Sequence, residues 1–132
     1  MQLTNYYSAW PVISPDAKLI AAGHANETDN STQLLLIPIE GGPPLKSINF
    51  PFGVSPGNGL DWMRDGKALA YVDTRNGVSN IWSLPIDGSP PRQLTNFKSD
   101  LIFRFALSPD GRQLVLARGT QTRDVVLIRD FR

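Results

Sequence analysis

An all-β fold built from repeated four-stranded units is predicted by three observations. A turn-forming motif centred on Asp16, Asp65 and Asp110 recurs at steps of 49 and 45 residues, and a second motif follows it in register. The segments between these motifs are short apolar runs punctuated by eleven Gly and eleven Pro, which favours many short strands over helices. Periods of about 40 to 50 residues, each with several strands, are the signature of propeller blades. The expected architecture is therefore three four-stranded β-propeller blades within a chain of 132 residues, whose 41% hydrophobic and 19% charged content is ordinary for a globular domain.

The corners come first. Ser14-Pro15-Asp16-Ala17-Lys18-Leu19-Ile20-Ala21, Met63-Arg64-Asp65-Gly66-Lys67-Ala68-Leu69-Ala70 and Ser108-Pro109-Asp110-Gly111-Arg112-Gln113-Leu114-Val115 superpose without gaps. In Ser-Pro-Asp-Gly, Pro presets φ for a turn, the Asp carboxylate accepts a nearby N–H and Gly tolerates positive φ. Asp16, Asp65, Gly66, Asp110 and Gly111 are thus structural turn residues; carboxylates spread over a repeat do not converge as catalytic acids must. Two corners depart from the pattern: Ala17 stands where Gly is expected, and Gly53-Val54-Ser55-Pro56-Gly57 reads as an insertion before blade two.

Strands follow the corners. Leu69-Ala70-Tyr71-Val72 and Leu114-Val115-Leu116-Ala117 come directly after, and Leu34-Leu35-Leu36-Ile37 and Val125-Val126-Leu127-Ile128 lie one strand later. These runs are apolar on both faces, as expected of strands sandwiched between neighbouring sheets. Leu36-Ile37-Pro38-Ile39-Glu40-Gly41-Gly42-Pro43-Pro44 matches Ser83-Leu84-Pro85-Ile86-Asp87-Gly88-Ser89-Pro90-Pro91 at an offset of 47, with Asp87-Gly88 turning strand C into strand D. Blade two is expected to run from strand A at 59–63 through B at 68–73 and C at 80–85 to D at 93–96. Blade one spans about 10–49, blade two about 59–96 and blade three about 102–132.

The "SPDGRQLVLA" and "IWSLPIDGSPPRQLTNF" stretches resemble the WD40-like (PD40) repeats of TolB-type β-propellers, and the resemblance covers nearly the whole chain. The closing stretch from Ala117 to Arg132 is similar to the extreme C-terminus of large bacterial proteins that join a serine/threonine kinase or winged-helix regulator to a propeller. The resemblance implies a non-catalytic module for protein or peptide binding or scaffolding, and a place outside the cytoplasm. PD40-like propellers also resemble those capping prolyl-oligopeptidase-type hydrolases, which implies, as the alternative, a gate for a catalytic domain that this chain lacks.

The chain opens on Gln2-Leu3-Thr4-Asn5, the same residues as Gln93-Leu94-Thr95-Asn96 at the end of blade two. Counted cyclically, this segment is the missing strand D of blade three. Three blades cannot close a ring, since propellers have about four to eight. The expectation is half of a six-bladed ring, closed by homodimerisation as residues 2–5 of each copy complete blade three of the other.

Thirteen Lys and Arg against twelve Asp and Glu, scattered along the chain, offer no basic stripe for nucleic acid. With no Cys, disulfides and thiol chemistry are excluded, and a single His makes no imidazole cluster for zinc, so no cofactor or metal is expected. Glu27 and Asp29 lack the spacing of a calcium loop. No apolar run reaches a membrane span and no export signal is recognised, so no membrane association is expected. Gly53-Val54-Ser55-Pro56-Gly57 fits G-x-S-x-G, but Pro56 cannot supply the oxyanion-hole N–H and no His follows, so Ser55 is not assigned catalysis.

Recognition is instead expected on loops that follow strand B. His24 in blade one, Arg75 and Asn76 in blade two and Arg123 in blade three stand in repeat register and should share one rim. Trp82 reads as inter-blade core, while Trp10 and Trp62, in or near strand A, read as core first and channel mouth second.

Overall fold

The computed structural model describes residues 8–26, 31–50 and 59–129. Ten antiparallel strands, and no helix, occupy these residues. β1 (Ser8–Ile13), β2 (Leu19–Ala25), β3 (Thr32–Pro38) and β4 (Lys46–Asn49) form one meander; β5 (Leu60–Trp62), β6 (Ala68–Arg75), β7 (Val78–Pro85) and β8 (Arg92–Gln93) form a second. β9 (Leu101–Leu107) and β10 (Leu114–Gly119) make a two-stranded third sheet.

The repeated corners join β1 to β2, β5 to β6 and β9 to β10 with one hydrogen-bond scheme. In the first, Lys18 N donates to Asp16 Oδ1 at 3.1 Å, Leu19 N donates to Ser14 Oγ at 2.9 Å, and Ser14 Oγ donates to Asp16 Oδ1 at 2.6 Å. Arg112 N and Gln113 N repeat these contacts onto Asp110 and Ser108 at 3.0 and 2.9 Å, and Lys67 N reaches Asp65 at 2.9 Å. The residue after each Asp is left-handed: Ala17 at φ 56°, Gly66 and Gly111 at 70°. Ala17 therefore keeps the corner but bears the steric load that Gly avoids.

Both faces of β6 are buried, as the unbroken apolar run requires. Leu69 and Tyr71 face the first sheet and pack with Leu34, Leu36, Trp62 and Leu84; Ala70 and Val72 face the third with Ile81 and Ile102. Polar bridges tie the layers together. Trp62 Nε1 donates to Val12 O at 3.1 Å, and Arg64 donates from Nε to Ser108 O and from Nη2 to Leu107 O at 2.9 and 2.7 Å.

Strand D of blade two differs from the expected 93–96. The strand ends at Gln93 because pairing becomes one-sided there: Leu94 N still donates to Ile81 O at 2.8 Å, but the Thr95 hydroxyl, not a backbone carbonyl, takes the Ile81 N–H at 2.9 Å. The larger difference lies in the third sheet, where residues 120–129 form no strand and Val125, Val126, Leu127 and Ile128 are exposed. Strand C of each other sheet is followed by a strand D, and that of the second sheet is covered on both faces; both features are lacking in the third sheet among the described residues. Val115 and Phe103 are correspondingly exposed. Residues 2–5, Glu27, Asp29 and the loop containing Ser55 lie outside the described residues.

Candidate functional site

The hairpin between β6 and β7 is the best-formed part of the expected rim. Asn76 and Gly77 make its two-residue turn with φ of 52° and 76°, the left-handed pair that matches strand twist in tight hairpins. Arg75, paired with Val78 in the last ladder position, turns its guanidinium over the Trp82 ring at 4.6 Å. Asp73 fixes it there through Nε at 2.9 Å and Nη2 at 2.7 Å. Asp73 is buried and the arginine largely exposed, so the hairpin presents a cation in one orientation.

Not all of the expected rim converges on it. His24 lies within β2 rather than in the following loop, half-buried and paired with Gln33, because the β2–β3 ladder continues past it to Ala25 and Thr32. It lines a cavity of about 380 Å³ with Gln33, Leu35 and Lys46, separate from the cavities lined by Arg75. Arg123 is exposed in the strandless segment. Trp62 is core, whereas Trp10 is 43% exposed at a β1 bulge with φ 55°. A bulky residue in that conformation is uncommon and is held by its surroundings.

A second feature went unread in the sequence. Between β4 of the first sheet and β7 of the second lies a cavity of about 500 Å³, walled by Ile48, Phe50, Trp82, Leu84 and Pro90, with Tyr71 at its base. The Tyr71 hydroxyl is buried and has no hydrogen-bond partner among the described residues. Burial pushes it up to about 12, with the nearby Asp73 carboxylate adding and Arg75 opposing, so the hydroxyl stays protonated. The signal available was alternation: Tyr71, Asp73 and Arg75 lie two apart on one strand face, with Tyr71 directly across from Trp82.

No group of three or more His, Asp or Glu among the described residues is placed to hold a metal ion, and no helix there is long and apolar enough to cross a membrane. No protein-family model matches the chain. A TolB homologue of Chlorobium chlorochromatii (strain CaD3) is 33% identical over 66 residues, which is 50% of this chain and 15% of that protein. Among solved structures, TolB of Agrobacterium tumefaciens superposes with a TM-score of 0.66 at 22% identity, over 89% of this chain and 40% of that one.

The fold is that of a TolB-type β-propeller.

TolB of Acinetobacter baumannii gives 0.59 at 20% identity, over 88% of this chain and 27% of its own. The β-propeller domain of the Trilobed protease from Pyrococcus furiosus, described as having an open velcro topology, gives 0.56 at 16%, over 84% of this chain and 34% of that one. The TolB-type segment thus spans well under half of each of these proteins.

Proposed function

We propose that the chain is a non-catalytic propeller module that binds a protein or peptide at its loop rim, with Arg75 and Asn76 as the principal contacts and His24 and Arg123 beside them. The observation that carries this reading is the Asp73-held guanidinium of Arg75 at the tip of a tight hairpin. A recognition group fixed before binding loses little freedom on contact. Its context is the C-terminal sensing part of a larger bacterial kinase or regulator.

The ring is completed by a second copy, three blades from each chain, with residues 2–5 supplying the strand that blade three needs. Two findings support this. The third sheet leaves Phe103 and Val115 exposed on its outer face, and Val125, Val126, Leu127 and Ile128 stand exposed beside an edge that no described strand covers. Bare terminal units of a repeat array call for a cap or a neighbour.

A photo-crosslinker at Asn76 tests the rim. It should capture a discrete polypeptide that a crosslinker at Asp110, on the opposite corner, does not, and Arg75→Ala should abolish the capture. Equal capture at both positions would contradict the rim.

The likeness to the protease propeller favours a second reading, a gate for a prolyl-oligopeptidase-type hydrolase domain. Turnover of generic esterase or peptidase substrates, abolished by Ser55→Ala, would replace the first reading with an enzymatic one.

A further inference from the structure

The cavity between the first two sheets has three properties that act together. Its walls are mostly apolar, with Ile48 and Phe50 from the first sheet and Trp82, Leu84 and Pro90 from the second, and Arg75 also lines it. Its base carries the Tyr71 hydroxyl, a buried donor without an acceptor among the described residues, which is an unfavourable state unless something fills it. Its side is the outermost strand of the first sheet, β4, which has β3 on one flank and no strand on the other among the described residues.

The register defines what that free flank offers. Phe50 N donates to Thr32 O, and Leu34 and Ile48 pair two positions further along, so Ile48 and Lys46 turn their backbone groups toward β3. In an antiparallel ladder the alternate residues point outward. Ser47 and Asn49 therefore present their N–H and C=O to whatever lies alongside. Their side chains are tied to Gln33 on the sheet face away from Ile48, through Ser47 Oγ at 3.0 Å and Asn49 Oδ1 at 3.1 Å. Opposite, Pro90 and Pro91 bring no N–H and β8 is only two residues long, so the second sheet does not cover this flank with a long strand.

We infer that this groove binds an extended peptide, which adds a strand to β4 through Ser47 and Asn49 and inserts one aliphatic or aromatic side chain beside Trp82, with a peptide carbonyl accepting from the Tyr71 hydroxyl. An unpaired edge next to a side-chain pocket is the arrangement used in strand addition, where the backbone supplies affinity and the pocket selects the residue. The volume is in the range of sites that enclose a ligand group. The apolar walls select an uncharged inserted side chain, and the Arg75 guanidinium that also lines the groove is held by Asp73 over the Trp82 ring. This site goes beyond the rim reading, and the two fail separately.

The test titrates the full chain, labelled with nitrogen-15, with capped pentapeptides of Thr carrying a central Leu, Phe or Ala. The Leu or Phe peptide should shift the Ser47 and Asn49 amides and the Trp82 indole N–H together, and the Ala peptide should bind at least about tenfold more weakly. Tyr71→Phe should weaken binding roughly three- to tenfold while leaving the free protein at least as heat-stable, because it removes only the orphaned hydroxyl. A structural role for that hydroxyl would lower the melting temperature instead. Shifts confined to Asn76 and Gly77 would overturn the groove and support the rim. Response at Trp82 without Ser47 or Asn49, shown equally by N-acetylphenylalaninamide, would mean a small-molecule pocket and overturn strand addition. Silence at all three groove signals with millimolar peptide, or unchanged affinity in Tyr71→Phe, would also overturn the proposal.

Discussion

Asn80 holds Thr95 in place of a β-ladder: the Thr95 hydroxyl donates to Asn80 Oδ1 at 2.9 Å and accepts the Ile81 N–H at 2.9 Å. Asn80 Oδ1 also accepts from Phe97 N at 2.7 Å. Side chains therefore complete what the backbone leaves open here: Leu94 N still donates to Ile81 O at 2.8 Å, but the return bond from Ile81 goes to Thr95, and Thr95→Val should leave the buried Ile81 amide without its acceptor. The expected loss is about 1–3 kcal/mol in urea unfolding, with faster hydrogen exchange at Ile81. A change within about 0.5 kcal/mol, typical of surface substitutions, would show that the backbone recloses the ladder on its own.

Arg64 carries the junction between the second and third sheets. Its guanidinium reaches Ser108 O, Leu107 O and Asp61 Oδ2 at 2.9, 2.7 and 3.2 Å. Arg64→Met keeps the stem and removes all three contacts. The expected destabilisation is about 2 kcal/mol, read by urea unfolding, with exchange protection lost first in β9 and β10. Uniform loss across all sheets would contradict a local junction.

The left-handed corner positions separate strain from space. Ala17→Gly should stabilise by up to about 1 kcal/mol, since φ is 56° there. Gly66→Ala and Gly111→Ala start from the same φ of 70°, but a Cβ at Gly66 meets nothing within 4 Å whereas one at Gly111 lies 2.8 Å from Arg64 Cγ. Thermal unfolding should rank Gly111→Ala clearly below Gly66→Ala. Equal losses would mean that Arg64 yields without consequence.

Acid should act through the corner carboxylates. The Ser14 hydroxyl, then Lys18 N, hold Asp16 below its ordinary 3.8; Ser108, then Arg112 N, do the same at Asp110, and Ser89 at Asp87. Between the folded and ordinary values the unfolded chain binds more protons, so this stabilisation is present above the ordinary value and fades as pH falls through the folded one. The melting temperature should be insensitive to these groups above about pH 5 and decline below it. Ser108→Ala should raise the Asp110 titration toward the ordinary value; an unmoved titration would contradict the assignment.

What the sequence revealed and what it hid divide along range. The Ser-Pro-Asp-Gly corners and the two-faced burial of Leu69, Ala70, Tyr71 and Val72 were legible because their cause lies within a few residues, whereas the loop expected between 73 and 80 proved to be a two-residue hairpin at Asn76-Gly77. The truncation of strand D was not, since Thr95 competes with the backbone only once Asn80 is brought beside it. Nor was the Tyr71 cavity, because an apolar run with one hydroxyl reads as core until the neighbouring sheet leaves a space. Arg75 was legible as a loop cation, but its clamp by Asp73 and seat on Trp82 required the register of β6 against β7. The apolar pattern of Val125, Val126, Leu127 and Ile128 is that of a buried strand, whereas these residues are exposed and strandless. Pattern states what a segment would bury and does not supply the surface that covers it.

That missing surface decides the account, and the mass in solution tests it most directly. Light scattering on a sizing column, repeated across a dilution series, should give twice 14.6 kDa, persisting on dilution, with residues 120–129 gaining exchange protection. A stable 14.6 kDa particle would contradict completion of the ring by a second copy.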